Sequence, residues 1–206
     1  MVGGSTEYMS SNEQILLERS KAGDIAAFEM LIEAYQKKIF NLAFRMIGNY
    51  DDAGDLAQEA LIRIFKSISN FKEQSSLSTW IYRITTNVCL DEIRKKKNRK
   101  VVSLDEEIHA EDGDMQRQIM SDDPLPDELM EKEELRQIIN SAIESLPEDQ
   151  RLVITLRDIQ GFSYDEIAKV LDCPAGTVKS RINRARFALK NVLISKRELL
   201  NEEFVK

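Results

Sequence analysis

The chain has 206 residues, 42% hydrophobic and 32% charged, with 29 basic against 36 acidic side chains and a net charge of −7. That length accommodates one large domain or two modest ones, each able to bury a core. No apolar run approaches membrane-spanning length, no secretory signal opens the chain, and Cys89, Cys173 and His109 stand far apart, which argues against a membrane protein, a disulfide scaffold and a zinc site and for a soluble intracellular protein with buried thiols.

Residues 1–10 lack periodicity and read as a flexible start outside the fold. Ser11 and Gln14 are placed to cap a short helix through Ala22, and Gly23-Asp24 restarts the chain. Phe28, Leu31, Ile32, Tyr35, Ile39, Leu42 and Met46 then mark a long amphipathic helix that Gly48-Asn49 ends. With Asp51 as N-cap, the next helix carries an apolar stripe of Leu56, Ala57, Ala60, Leu61, Ile64, Phe65 and Ile68. Its outer face shows Asp55, Gln58, Glu59, Ile62 and Arg63. Partner contact and plain solvation fit that face equally, since single exposed apolar residues are common.

Asn70 to Ser78 reads as a polar loop anchored by Phe71 and Leu77. Ser78 can cap a helix with Trp80, Ile81, Ile84, Val88 and Ile93 on its apolar side, running into the basic stretch Arg94-Lys-Lys-Lys-Asn-Arg-Lys100. Aromatics and amides such as Trp80, Tyr82 and Asn87 leading into a cationic cluster suit single-stranded nucleic acid, where bases stack on rings and phosphates meet cations. Trp80 taken alone fits a core position better; Arg94 to Lys100 fits nucleic acid better.

From Val101 to about Glu131 periodicity fades, acids accumulate, and Pro124 and Pro126 indicate extended chain, so this stretch reads as a linker. Leu135, Ile138, Ile139, Ala142, Ile143 and Leu146 mark a helix stopped by Pro147; Leu152, Val153, Leu156 and Ile159 mark another, ended near Gly161. Ser163 and Glu166 form a capping-box pattern opening a short helix with Ile167, Ala168 and Leu171, broken at Asp172-Cys173-Pro174. In the last helix Val178, Ile182, Ala185 and Leu189 repeat on one face. Opposite them stand Thr177, Lys179, Ser180, Arg181, Asn183, Arg184 and Arg186. Two short helices joined by a tight turn, the second basic, read as a helix-turn-helix for duplex DNA. A solvated face normally mixes signs, but from Lys179 to Arg197 every charge is positive. Small Ala175 and Gly176 at the start of the helix permit close approach to DNA. The negative total is reconciled by segregation, with acids concentrated between Asp105 and Glu134.

In this order and spacing the motifs resemble the extracytoplasmic-function (ECF) sigma factors of bacteria, the group with only sigma regions two and four. Asp55-Leu-Ala-Gln-Glu59 resembles the polymerase-binding helix of region two, and Leu77-Ser-Thr-Trp-Ile-Tyr-Arg-Ile-Thr-Thr-Asn-Val-Cys-Leu-Asp-Glu-Ile-Arg94 the promoter-melting and minus-ten segment. Leu146-Pro-Glu-Asp-Gln-Arg151 and Gly176-Thr-Val-Lys-Ser-Arg-Ile-Asn-Arg-Ala-Arg186 resemble region four. Two positions depart from the pattern. Gly54 stands where an acidic helix former is common, at a cost of about 1 kcal/mol in local helix stability, and Asp172 stands at a turn position often held by Gly.

The resemblance implies an all-α protein of two small helical domains joined by an acidic flexible linker, the second a four-helix helix-turn-helix domain. The implied divisions are a flexible 1–10, region two over 11–100, the linker over 101–130 and region four over 131–206. It implies a cytoplasmic, non-enzymatic specificity subunit without cofactor or metal, whose partners are the RNA polymerase core, promoter DNA and an anti-sigma factor. Asp55, Leu56, Gln58, Glu59, Ile62 and Arg63 would contact the core. Phe71, Trp80, Arg83, Asn87, Arg94 and Lys95 would serve the minus-ten element, with Asn87 and loop 70–78 capturing a flipped base. Ala175, Thr177, Lys179, Ser180, Arg181 and Arg184 would serve the minus-thirty-five duplex. A conventional dimeric helix-turn-helix regulator would need a sensor pocket, which nothing in residues 12–100 announces. A nucleic-acid enzyme would need metal ligands or an acid/base constellation, whereas the acids outside the linker sit at caps and solvent faces.

Overall fold

The computed structural model describes residues 10–102 and 126–203, with side chains over 10–99 and 135–195. The regular structure of the described residues is all helical, with no strand among them: α1 (Ser11–Lys21), α2 (Ile25–Ile47), α3 (Tyr50–Ser67), α4 (Leu77–Val102), α5 (Pro126–Glu144), α6 (Glu148–Ile154), α7 (Tyr164–Leu171) and α8 (Ala175–Glu203). Helices α1–α4 pack on one another to form a first unit, and α5–α8 form a second. A single cluster of buried apolar side chains runs through both. The flexible start and most of the acidic linker, Asp105 to Asp114 included, lie outside the described residues.

The punctuation of the sequence sets most boundaries. The Asp24 carboxylate caps α2 by accepting from the Ala27 N–H at 3.0 Å; that bond, followed by the Arg19 guanidinium, holds it below its ordinary range. Gly48, at φ 77°, ends α2 and returns its N–H to the Phe44 carbonyl at 2.8 Å. Three caps differ from the sequence reading. Ser10, not Ser11, caps α1 through the Glu13 N–H. Asn49, not Asp51, caps α3, leaving Asp51 in the first turn where its charge favours the helix dipole. Ser76, not Ser78, caps α4 by accepting from the Thr79 N–H at 3.1 Å. In each case an earlier residue capable of capping takes the position, Ser10 and Asn49 with extended backbone.

Other differences concern burial. Pro126 begins α5 instead of marking extended chain, which suits a residue whose missing N–H has no helical partner in the first turn. Leu135, Ile139 and Ile159, expected in the core, are exposed, and so is Phe65 at 37%, although its ring edge meets Phe28 at 5.0 Å. Ile159 turns outward because Thr155–Ile159 forms a π-helical turn, which shifts the register of the face that α6 had buried. The basic stretch does not end α4; the helix runs through it to Val102.

Helix α4 is central to the architecture. Thr79, Trp80, Ile81 and Tyr82 are all buried in succession, as are Thr85, Thr86, Val88 and Cys89. Four consecutive buried positions exceed what one apolar stripe can supply, so the helix is covered on more than one side. The first unit covers one side and α7 of the second covers another.

Candidate nucleic-acid interface

The second unit builds its projecting helix in steps. At the start of α7 the Ser163 N–H donates to a Glu166 carboxylate oxygen at 2.8 Å, while the Glu166 N–H donates to the Ser163 hydroxyl at 3.2 Å. This reciprocal cap is the one written in the sequence. Arg157 fixes the preceding loop, donating to the Phe162 carbonyl at 2.7 Å and lying over the Tyr164 ring at 5.0 Å. Helix α7 ends at Asp172 in the left-handed conformation, φ 49° and ψ 52°. A short polar side chain tolerates that region better than most, which is why the turn survives without glycine. The Pro174 carbonyl then accepts from Thr177 and Val178 to open α8.

Val178, Ile182 and Ala185 are fully buried and fix one side of α8. Lys179, Ser180 and Arg184 are exposed on the other, with Ala175, Thr177 and Arg181 half-buried beside them. Arg186, in the same basic set, is tied to Asp158 through both of its carboxylate oxygens, which raises the guanidinium above its ordinary range.

In the first unit the loop after α3 closes a polar cavity of about 410 Å³ with the start of α4. Phe71 and Trp80 stand 5.0 Å apart with rings tilted by 40°, both largely buried, so each offers the cavity only part of its surface. Arg83 adds a cation to the lining. The loop is clamped from α1: Lys21 binds Glu73 at 2.6 Å and lies 5.8 Å from the Phe71 ring centroid. Partial burial opposes the Lys21 charge, but its bonds to Glu73 and Glu18 prevail and hold it above its ordinary range. The Glu73 carboxyl is correspondingly held low by Lys21. Arg83, Asn87 and Arg94 follow along one exposed side of α4, with Lys95 adjacent. Arg94 pairs with Asp91 and Lys95 with Glu92.

On α3 the side chains of Asp55, Gln58 and Ile62 are exposed, and Glu59 and Arg63 join at 2.7 Å, with Arg63 reaching Asp91 at 3.6 Å. Leu56 is the exception in the expected contact set: it is turned into the core and supports the face from beneath. Tyr82 is the residue whose surroundings the sequence could not give. Its ring meets Phe162 edge-on at 4.7 Å, its hydroxyl donates to Gln160 at 2.6 Å, and burial pushes its ionisation well above the ordinary range.

Comparison with known proteins completes this description. Residues 31–99 match the model of sigma-70 region 2, and residues 136–189 match that of sigma-70 region 4. The ECF RNA polymerase sigma-E factor of Escherichia coli (strain K12) is 42% identical over 182 residues, covering 87% of this chain and 93% of that protein. The chain belongs to the ECF sigma factors. As a member it directs promoter-specific transcription initiation. The RNA polymerase sigma-H factor of Pseudomonas aeruginosa is 37% identical over 183 residues, covering 88% of this chain and 93% of its own. Among solved structures, the sigma factor RpoE in complex with the anti-sigma factor NepR from Bartonella quintana superposes with a TM-score of 0.63 at 28% identity, covering 81% of this chain and 96% of that one. CnrH, in complex with the cytosolic domain of CnrY, shares the fold with a TM-score of 0.61 at 24% identity, covering 90% and 99%. Among the described residues no helix is long and apolar enough to cross a membrane.

Proposed function

We propose that this ECF sigma factor divides promoter reading between two helices, α8 for the minus-thirty-five duplex and α4 with its preceding loop for the melted minus-ten strand. The carrying observation is α8 itself, where three fully buried residues fix one side and Lys179, Ser180, Arg181 and Arg184 stand on the other. An arginine projected in this way can bind a guanine edge bidentately, while the lysines and remaining arginines neutralise phosphate. On α4, the aromatic-walled cavity and Asn87 offer stacking and amide pairing to an extruded base, whose unstacking costs a few kcal/mol. The α3 face from Asp55 to Arg63 docks the polymerase core, and core binding brings both elements within reach of their readers.

The working divisions are 11–100 for region two and 131–206 for region four, joined by the acidic stretch 101–130. The protein acts in the cytoplasm by binding alone and carries out no catalytic step of its own. The RpoE–NepR complex supports a further partner, a protein anti-sigma factor.

The test adds the purified chain to sigma-free core polymerase and follows initiation on a promoter library. Arg181→Ala should relax base preference only in the upstream element, by about 1–3 kcal/mol. Asn87→Ala should relax it only downstream and slow strand opening. Substitutions that weaken all promoters uniformly, or that alter preference at the other element, would overturn the division of labour.

A further inference from the structure

The loop between α3 and α4 holds a backbone turn that its own sequence does not favour. Glu73 stands at φ 56°, in the left-handed region, and among the described residues only Asp172 is another non-glycine residue there. Asp172 has the short polar side chain that the region tolerates; Glu73 has not. A residue keeps such a conformation when its surroundings impose it. Here the surroundings are the end of α1. Lys21, the last residue of that helix, binds the Glu73 carboxylate at 2.6 Å and Glu18 at 3.0 Å. Only 18% of the Lys21 side chain is exposed, against 45% for Glu73, so the helix side of the pair is the fixed one. Helix α1 is in turn held by buried Leu16, Leu17 and Ser20.

The consequence falls on the cavity. Of residues 70–75 all line it except Glu73, which points to α1 instead. Buried Phe71 and Leu77 fix the ends of the loop, but Lys72, Glu73 and Gln74 are exposed, so burial does not place them. We infer that Lys21 is a positioning residue for capture of the minus-ten strand: by binding Glu73 it holds the left-handed turn that keeps Lys72 and Gln74 at the cavity, without touching DNA itself. This rests on the proposed assignment of the cavity to the minus-ten strand. An ion pair near the surface adds little to the stability of the whole fold. It suffices to bias a short loop, and the apparent affinity for the strand then falls with the fraction of loops in the competent turn.

The test uses the full chain with core polymerase on promoters randomised in the minus-ten element. Lys21→Met keeps an apolar stem beside Phe71 and removes the charge. It should lower open-complex formation by about fivefold and flatten base preference in that element, with upstream preference and core affinity unchanged. Lys21→Arg should behave as the unmodified chain. Adding Glu73→Gly to Lys21→Met should restore capture to within about twofold, because glycine adopts the left-handed turn without an ion pair. Loss without that rescue would mean that Lys21 meets the strand directly, and would overturn the inference. So would a uniform loss with base preference intact, which marks a merely structural role. Lys72→Ala and Gln74→Ala separate this inference from the reading beneath it. If either flattens minus-ten preference while Lys21→Met does not, the cavity assignment stands and the positioning role falls. If none of the three alters minus-ten preference, the cavity is not the strand site and both fall.

Discussion

The same chemical change at two glycines should shift stability in opposite directions. Gly54 lies inside α3, and a Cβ built there meets no atom within 4 Å. Gly48 offers the same open space, but its φ is +77°. Ala at position 54 costs no packing and removes the excess backbone entropy that glycine loses on entering a helix, a gain of about 1 kcal/mol. Ala at position 48 must adopt the left-handed conformation, a loss of about 1–2 kcal/mol. For a chain of this size, 1 kcal/mol corresponds to a thermal midpoint shift of roughly 2–4 °C. Urea denaturation followed by circular dichroism measures both, and an unchanged slope would confirm that the two variants unfold over the same surface. Equal midpoints for Gly54→Ala and the unmodified chain, or a rise with Gly48→Ala, would refute the reasoning, since only backbone conformation distinguishes the sites.

The outer face of α3 predicts that Gln58→Ala combined with Ile62→Ala weakens core-polymerase binding by about tenfold or more with helical content unchanged; normal retention in a pull-down would remove that face from the contact. The cysteines should differ in reactivity. Cys89 is fully buried, and burial pushes its thiol up to about 12, so at about pH 8 roughly one thiol in ten thousand is ionised. Cys173 is half-buried in the turn of the helix-turn-helix. A maleimide should therefore label Cys173 alone in the native protein and both thiols after denaturation, and native labelling of Cys89 would show that the α4 core opens readily.

Helix order and most of the core were legible because helical periodicity reports which residues share a face, and local chemistry reports where a helix begins and ends. The Ser163–Glu166 box, the glycine stop at Gly48 and the left-handed Asp172 all depend on residues within one turn, and all were readable. The three displaced caps show the limit of that local chemistry. Ser10-Ser11, Asn49 and Asp51, and Ser76 and Ser78 each offer two competent side chains within two positions, and the path of the preceding chain decides between them. Periodicity also cannot say whether a neighbour arrives to cover a face, which is why Leu135, Ile139 and Phe65 were expected inside and are exposed. The cover over Tyr82 is the largest omission. Tyr82 is separated from Gln160 by 78 positions, and no pattern around either residue announces the other.

Ion pairing divides the two cationic surfaces more sharply than their composition does. Arg94, Lys95, Lys96 and Lys97 all have carboxylate partners, in Asp91, Glu92, Asp52 and Glu148. On α8, Arg186 is bound to Asp158, whereas Lys179, Arg181, Arg184 and Lys190 make no ion pair among the described residues. A cation already paired must give up its carboxylate to take a phosphate, so its net gain is small. An unpaired one releases condensed counterions from DNA at no such cost. The helix proposed for the duplex therefore supplies most of the sequence-independent attraction, despite a chain charge of −7. The end of α4 contributes once its ion pairs exchange their carboxylates for phosphates.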